Sequence, residues 1–240
     1  ATSQTQRDAL TLFQQAFDLK GVERASFWTN GIDSETKGID LVISQKYDVI
    51  QDFSIRNDFA LNLNPINLAF IVCSLVRKMQ DKEKALELLK NTDESIQKNE
   101  RKVHEACWVL QSEMAETYVA LAKFFATNNS EKFEENIKTG KDILNGIQKR
   151  IDQEPYVDNR VSAKFYLAKS NLLKVLDEPN DFYKTALLYL AYEDMSSMPV
   201  ARKQFMAYDI GIAALLGDHI YNFGELLSHE VIESLRGSKA

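Results

Sequence analysis

Along most of this chain, apolar residues return at every third or fourth position. That spacing lines them up on one face of an α-helix, and a strand would need alternation instead. Only nine glycines and four prolines interrupt the 240 residues, so long helices have few forced breaks. The expected fold class is all-α, with short connections folding successive helices back as antiparallel hairpins.

The clearest start is Asn64-Pro65. Asparagine is a good N-cap, and proline suits the first helical position, where an amide donor has no partner anyway. Leu68, Ile71, Val72, Leu75, Val76 and Met79 then form one stripe, with Cys73 beside it. Asp81 is placed to cap a helix carrying Ala85, Leu86, Leu88 and Leu89. A longer helix is predicted from Glu100 to Ala126, with Val103, Cys107, Leu110, Met114, Tyr118, Leu121 and Phe125 on its buried face. The segment Asn128 to Ser130 ends it, and Phe133, Ile137, Leu144, Ile147 and Ile151 mark the next helix. Pro155 is expected to open another, through Val161, Phe165, Ala168, Leu172 and Val175. The turn Asp177 to Asp181 leads into FYKTALLYL. A last long helix is predicted to bury Phe205, Tyr208, Ile212, Leu215 and Leu216.

Helix starts at Asp81, Ser130 and Asn180 recur about fifty residues apart, which predicts stacked hairpins in a TPR- or HEAT-like solenoid without the TPR consensus. The N-terminal part reads as an amphipathic helix over residues 4–19 and a glycine-containing linker over 21–38. A further helix follows over 39–53, where residues 40–43 also fit a short strand. The expected division is 1–38 and 39–240, the latter ending in a corner of short helices at 217–236.

Composition restricts function. A net charge of −6 disfavours a broad nucleic-acid surface. No apolar run approaches the ~18 residues of a membrane span, and the opening ATSQTQRD lacks a signal peptide's apolar core. Cys73 and Cys107 form no CxxC pair and read as reduced, buried thiols of an intracellular protein.

The segment LLGDHIYNFGELLSHEVIESL concentrates Asp218, His219, Glu225 and His229. Glu225 and His229 stand four apart, a spacing that lets two side chains share an ion on one helix face. Yet no HExxH occurs, either at His229 or at His104, and Ser228 lacks the strand–turn–helix elbow of a nucleophile. No GxGxxG follows a strand and no Walker loop is present. Catalytic, cofactor and metal residues are therefore all expected to be absent.

Chain-reversal chemistry uses more of these residues. Gly217 follows the last periodic leucine and is expected to be a left-handed helix stop. Asp218 is a cap for the next short segment, and Asn222 with Glu225 has capping-box spacing. Tyr221 and Phe223 wedge the corner, Gly224 permits a turn, and Leu226 and Leu227 supply its apolar face. Ser228 caps a last segment whose buried positions are Val231, Ile232 and Leu235. Tyr166, Phe182, Tyr183 and Tyr189 fit either core packing, which is favoured, or the wall of a peptide groove in a free-standing adaptor. In the second case they must be exposed.

Two segments add a resemblance. FYKTALLYL and AYDIGIAALLGDHIYNFGELLSHEVIESL, with NPINLAFIVCSLVRKM more loosely, resemble the proteasome non-ATPase regulatory subunit 13 family over roughly residues 60–236. The resemblance implies a PCI-type scaffold: a right-handed helical-repeat arm, then a winged helix that this chain does not reach. It implies a non-catalytic component of the regulatory-particle lid, acting in ubiquitin-dependent degradation in cytoplasm and nucleus without cofactor. Implied partners are other lid subunits, among them PCI subunits, the deubiquitinase dimer and a ubiquitin receptor, with no nucleic acid and no membrane. The family's corner maps onto Gly217, Asp218, Tyr221, Asn222, Phe223, Gly224, Glu225, Leu226 and Leu227. His229-Glu230 departs from the family's His-Pro. The alternatives are the peptide-binding adaptor, a PCI subunit of the signalosome or a translation initiation factor, and an all-α metal-dependent or hydrolytic enzyme built around Asp218, Glu225 and His229.

Overall fold

In the computed structural model, the described residues are 64–98, 104–196, 198–218 and 223–235. The expected N-terminal helices and linker, the boundary at 38–39, and Val103 lie outside them. All regular elements among the described residues are helices: α1 Pro65–Lys78, α2 Lys82–Lys98, α3 His104–Phe125, α4 Ser130–Ile151, α5 Asn159–Val175, α6 Pro179–Tyr192, α7 Val200–Leu216, α8 Phe223–Ser228 and α9 Glu230–Glu233. None is long and apolar enough to cross a membrane. The chain divides into two compact units, 1–117 and 118–240, with the boundary inside α3.

Capping residues set most of the starts. The Ile66 N–H donates to Asn64 Oδ1 at 3.0 Å, with Pro65 in the first turn. Asp81 Oδ1 accepts from the Glu83 and Lys84 amides at 3.1 and 3.2 Å. Asn129 Oδ1 accepts from the Lys132 amide at 3.0 Å. These side chains satisfy donors that a helix leaves unpaired at its first turn.

Pro155 does not open α5. It lies exposed in the preceding loop, and Asp158 caps instead, its Oδ1 accepting from the Arg160 amide at 2.8 Å. A carboxylate that satisfies an orphan amide outweighs proline's mild preference for the first turn. Partial burial works to raise the Asp158 pKa, but the hydrogen bonds and charge of Arg160 outweigh it and hold the carboxyl below its usual value. A depressed pKa means this contribution is complete above the unfolded-state pKa and is lost as pH falls through the folded one. Asp158→Ala should therefore cost about 1 kcal/mol at neutral pH. In urea titrations repeated at descending pH, the gap from the wild type should close only below the ordinary carboxylate range.

In the first unit the register is set by named contacts. Cys73 Sγ donates to the Val109 carbonyl at 3.9 Å, and Arg77 Nε reaches both Glu113 oxygens at 3.2 Å. Both pairs are separated by 36 residues, so α1 and α3 run parallel. Asp93 Oδ2 accepts from Gln111 Nε2 at 3.1 Å, which sets α2 beside α3 with the opposite sense around their connection. The repeating unit is thus a helical hairpin whose first helices stack in parallel. Its offset is close to the roughly 34 residues of tetratricopeptide arrays. The core includes Leu68, Val72, Leu75, Val76, Leu88, Leu89 and Leu110. The stripe expected on α3 drifts by one position near its end. Val119 and Ala122 are buried, while Tyr118, Leu121 and Phe125 are only half-buried.

The second unit repeats the arrangement. Tyr166 of α5 stacks on Tyr192 at the far end of α6, with ring centroids 5.6 Å apart, as an antiparallel pair requires. Lys174 of α5 pairs with Asp209 of α7, a separation of 35 residues, so the offset recurs two helices on. Phe165, Ala168, Leu172, Ala186 and Tyr189 fill the centre. Tyr166, Phe182, Tyr183 and Tyr189 are all buried. The peptide-groove reading required them on an open face, so it fails on its own terms.

The left-handed stop is not where glycine suggested. Gly217 closes α7 in extended backbone, φ −76° and ψ 128°, its amide donating to the Ala213 carbonyl. Instead Asp177, just past α5, has φ 55°. The following amide, of Glu178, reaches back to the Leu173 carbonyl at 3.1 Å, as in a Schellman closure. A three-residue connection from α5 to α6 forces that reversal, and aspartate tolerates it better than most residues. Asp177→Gly should raise stability by about 0.5–1 kcal/mol, and Gly217→Ala should change it by less than about 0.5 kcal/mol. Chemical denaturation of the two variants checks the pair. A large loss at Gly217→Ala would contradict the assignment.

Candidate interaction surface

The C-terminal end of the second unit is built by α7, α8 and α9. Beyond Gly217, Asp218 is exposed. His219, Tyr221 and Asn222 lie outside the described residues, as do the side chains of Phe223, Glu225 and Ser228. Gly224 and Leu227 are exposed, while Leu226 is buried. The pair of leucines expected to share one apolar face is therefore split: adjacent helix positions are turned about 100° from each other, and α8 buries only the side that carries Leu226.

Ser228 is the last residue of α8 and not the cap of α9. The backbone of His229 stands there in extended conformation, with no side-chain cap bond. The His229 amide closes α8 on the Leu226 carbonyl at 3.1 Å, and its own carbonyl accepts from the Ile232 amide at 3.0 Å. Glu230 occupies the first position of α9, where the family's proline was expected. It accepts from Lys203 Nζ of α7 at 3.1 Å. Gln204 Nε2 donates to the Ser234 carbonyl at 3.2 Å, and Val231 is fully buried beneath. The expected buried partners Ile232 and Leu235 are only half-buried. These contacts fasten α9 to the N-terminal part of α7.

No three His, Cys, Asp or Glu side chains among the described residues converge as metal ligands. His229 serves a helix junction through its backbone. Arg202 of α7 donates to the Tyr189 hydroxyl of α6 at 3.2 Å. Burial pushes the Tyr189 phenol well above its ordinary pKa, with Arg202 opposing, so this hydroxyl stays protonated and structural.

The largest departure from expectation is α7 itself. Its packed face carries Ala207, Ile210, Ala213 and Ala214. The residues predicted to be buried point outward: Phe205 is 75% exposed, Tyr208 65% and Leu215 79%, with Ile212 and Leu216 also exposed. Both faces of α7 are apolar, and the small one is inside because alanines let helix backbones approach closely. Size of side chain was the misleading signal. The second set of apolar positions at the same spacing, Ala207, Ile210 and Ala214, was the one that marked the core.

The exposed residues Phe205, Tyr208, Ile212 and Leu215 follow at steps of three, four and three. That is the narrow seam by which one helix packs along another. Isolated exposed apolar residues are ordinary on protein surfaces, whereas a contiguous stripe marks a contact site. With the corner beside it, this face is the candidate interaction surface.

Comparison with known proteins gives one consistent match. The family of PSD13 N-terminal repeats matches residues 50–240. The 26S proteasome non-ATPase regulatory subunit 13 homolog B of Arabidopsis thaliana is 34% identical over 182 residues, 75% of this chain and 44% of its own. Homolog A of the same plant is 31% identical over 203 residues, 83% of this chain and 49% of its own. The 26S proteasome regulatory subunit RPN9 of Saccharomyces cerevisiae is 35% identical over 128 residues, 53% of this chain and 29% of its own. The chain spans less than half the length of these relatives.

Proposed function

The chain belongs to the family of PSD13 N-terminal repeats, and on that premise we propose that it is a scaffold subunit of the proteasome regulatory particle. It acts in the lid, without catalysis of its own, and supports degradation of ubiquitinated proteins. Its work is to hold neighbours in place by helix faces, in cytoplasm and nucleus. Its partners are other lid subunits, including PCI subunits, the deubiquitinase dimer and a ubiquitin receptor.

The observation that carries this reading is the family match across 50–240, joined to a fold that spends its polar residues on caps and helix register. The exposed seam of α7 supports it, since a scaffold needs apolar surface to offer. The signalosome and initiation-factor alternatives lose ground because the named relatives are proteasome regulatory subunits.

Depletion of the chain from cells tests the role. Native gels should show regulatory particles of reduced size or abundance, and ubiquitin conjugates should accumulate. Unchanged particles and unchanged conjugate levels would contradict the reading. The non-catalytic part is tested separately: a purified preparation with hydrolase turnover abolished by His229→Ala would overturn it.

A further inference from the structure

We propose that Tyr156, in the connection between α4 and α5, is a phosphorylation site for a tyrosine-directed protein kinase. The proposal rests on exposure and local chemistry, and it is independent of where the protein assembles.

Geometry separates this tyrosine from the others. Residues 152–156 are exposed one after another in irregular backbone, and Tyr156 is 78% exposed. No hydrogen bond, ion pair or ring contact holds its side chain among the described residues. Tyr166, Tyr183 and Tyr189 are buried in helices, and Tyr118 is half-buried in α3. Tyr192 is stacked on Tyr166, and the exposed Tyr208 stands in the middle of α7. To place a phenol deep in an active-site cleft, residues on either side must follow the cleft wall. A surface connection permits that, and an intact helix resists it.

The flanking chemistry fits the enzyme class. Residues 151–159 carry the carboxylates Asp152, Glu154 and Asp158 and no lysine or arginine. A cleft that holds a nucleoside triphosphate sets cations, lysine and metal ions, against the phosphates. Its field draws in an acidic segment and repels a basic one. In the reaction the phenol oxygen of Tyr156 attacks the γ-phosphorus of the nucleoside triphosphate. The bond from that phosphorus to the β–γ bridging oxygen breaks, and the nucleoside diphosphate leaves with the electron pair. The phenol proton passes to the kinase's base. The product adds about two negative charges beside Asp152 and Glu154. Because this stretch is exposed, the change acts on what docks at the connection and leaves the core intact.

Phosphate mapping on the full-length native chain tests the proposal. The chain is incubated with magnesium ATP and the catalytic domain of an acid-directed tyrosine kinase, then cut with trypsin. Cleavage after Arg150 and Arg160 frees residues 151–160, in which Tyr156 is the only side chain with a hydroxyl group to modify. Initial incorporation at Tyr156 should exceed that at any other described tyrosine by at least about tenfold. Tyr156→Phe should remove it, and Glu154→Lys should slow it at least about threefold. A synthetic peptide of residues 151–160 serves as the control for recognition of the segment. Phosphate spread evenly over the tyrosines, or concentrated at Tyr208, would overturn the proposal. So would a chain left unmodified while the peptide is modified, which would show the connection closed to enzymes. A peptide that is itself refused, or a rate unchanged by Glu154→Lys, would overturn it too, since the carboxylates would then not direct the kinase.

Discussion

Phe165→Ala should lower the unfolding free energy by about 3–5 kcal/mol, while Phe205→Ala in the same 240-residue chain should cost less than about 0.5 kcal/mol. The two residues are the same amino acid on helices of the same unit. Their environments differ completely. Phe165 has no exposed surface; it meets the Tyr166 ring edge-on at 5.1 Å and lies beneath the Lys169 ammonium. Removing its ring forfeits apolar burial and leaves a cavity that surrounding helices can only partly close. Phe205 is 75% exposed, so little burial is lost there, and alanine is the better helix former. Urea denaturation of both variants measures the difference directly. Similar losses at the two positions would mean that α7 packs through its large side chains and that its assigned orientation is wrong.

Arg77→Ala should lower the unfolding free energy by about 1–3 kcal/mol. The Arg77 guanidinium lies 3.1 Å from Glu113 and 3.8 Å from Glu116, and it ties α1 to α3. The Glu113 side chain is almost fully buried, while Arg77 stays half-exposed. Burial works against the charge on Arg77, but Glu113 and then Glu116 outweigh it and hold the guanidinium above its ordinary pKa. Truncating the arginine takes the counter-charge from a buried carboxylate, which costs about 3–5 kcal/mol when both partners are buried. The exposed half of this pair admits water, which reduces the expected loss. Adding Glu113→Gln to Arg77→Ala should recover part of it, since a neutral amide is cheaper to bury than a carboxylate. A double-mutant cycle with coupling below about 0.5 kcal/mol would show that the pair contributes nothing to register.

Where a local signal decided structure, the chain was readable. Asn64 and Asp81 are side chains that accept amide hydrogens within their own first turn, so their role is written in adjacent residues. The seam of α2 was legible because its apolar residues, Ala85, Leu86, Leu88, Leu89 and Ile96, share one face of the helix. That of α7 was not, because it has two apolar faces, and only packing against neighbours decides between Phe205 and Ala207. The same limit explains Gly217 and Asp177. Glycine permits a left-handed turn without requiring one, and the short α5–α6 connection imposed it on an aspartate. Of the corner residues, Leu226 is buried and Leu227 exposed because adjacent helix positions face different sides, and only packing decides which side is inner.

The 36- and 35-residue offsets across α1–α3 and α5–α7 appear only once side chains meet. Helix starts alone gave a longer spacing, since α3 and α4 are each 22 residues long and lengthen the interval between starts. Sequence thus conveyed the kind of repeat, and contact geometry conveyed its register.

The central claim is that this chain works by being held among other subunits of the proteasome regulatory particle. Native mass spectrometry of regulatory particles isolated through a different subunit tests it most directly. The account predicts one copy of the chain in each intact particle, released only with neighbouring lid subunits. Intact particles from the same cells that lack the chain, while it is recovered elsewhere as a free protein, would contradict it.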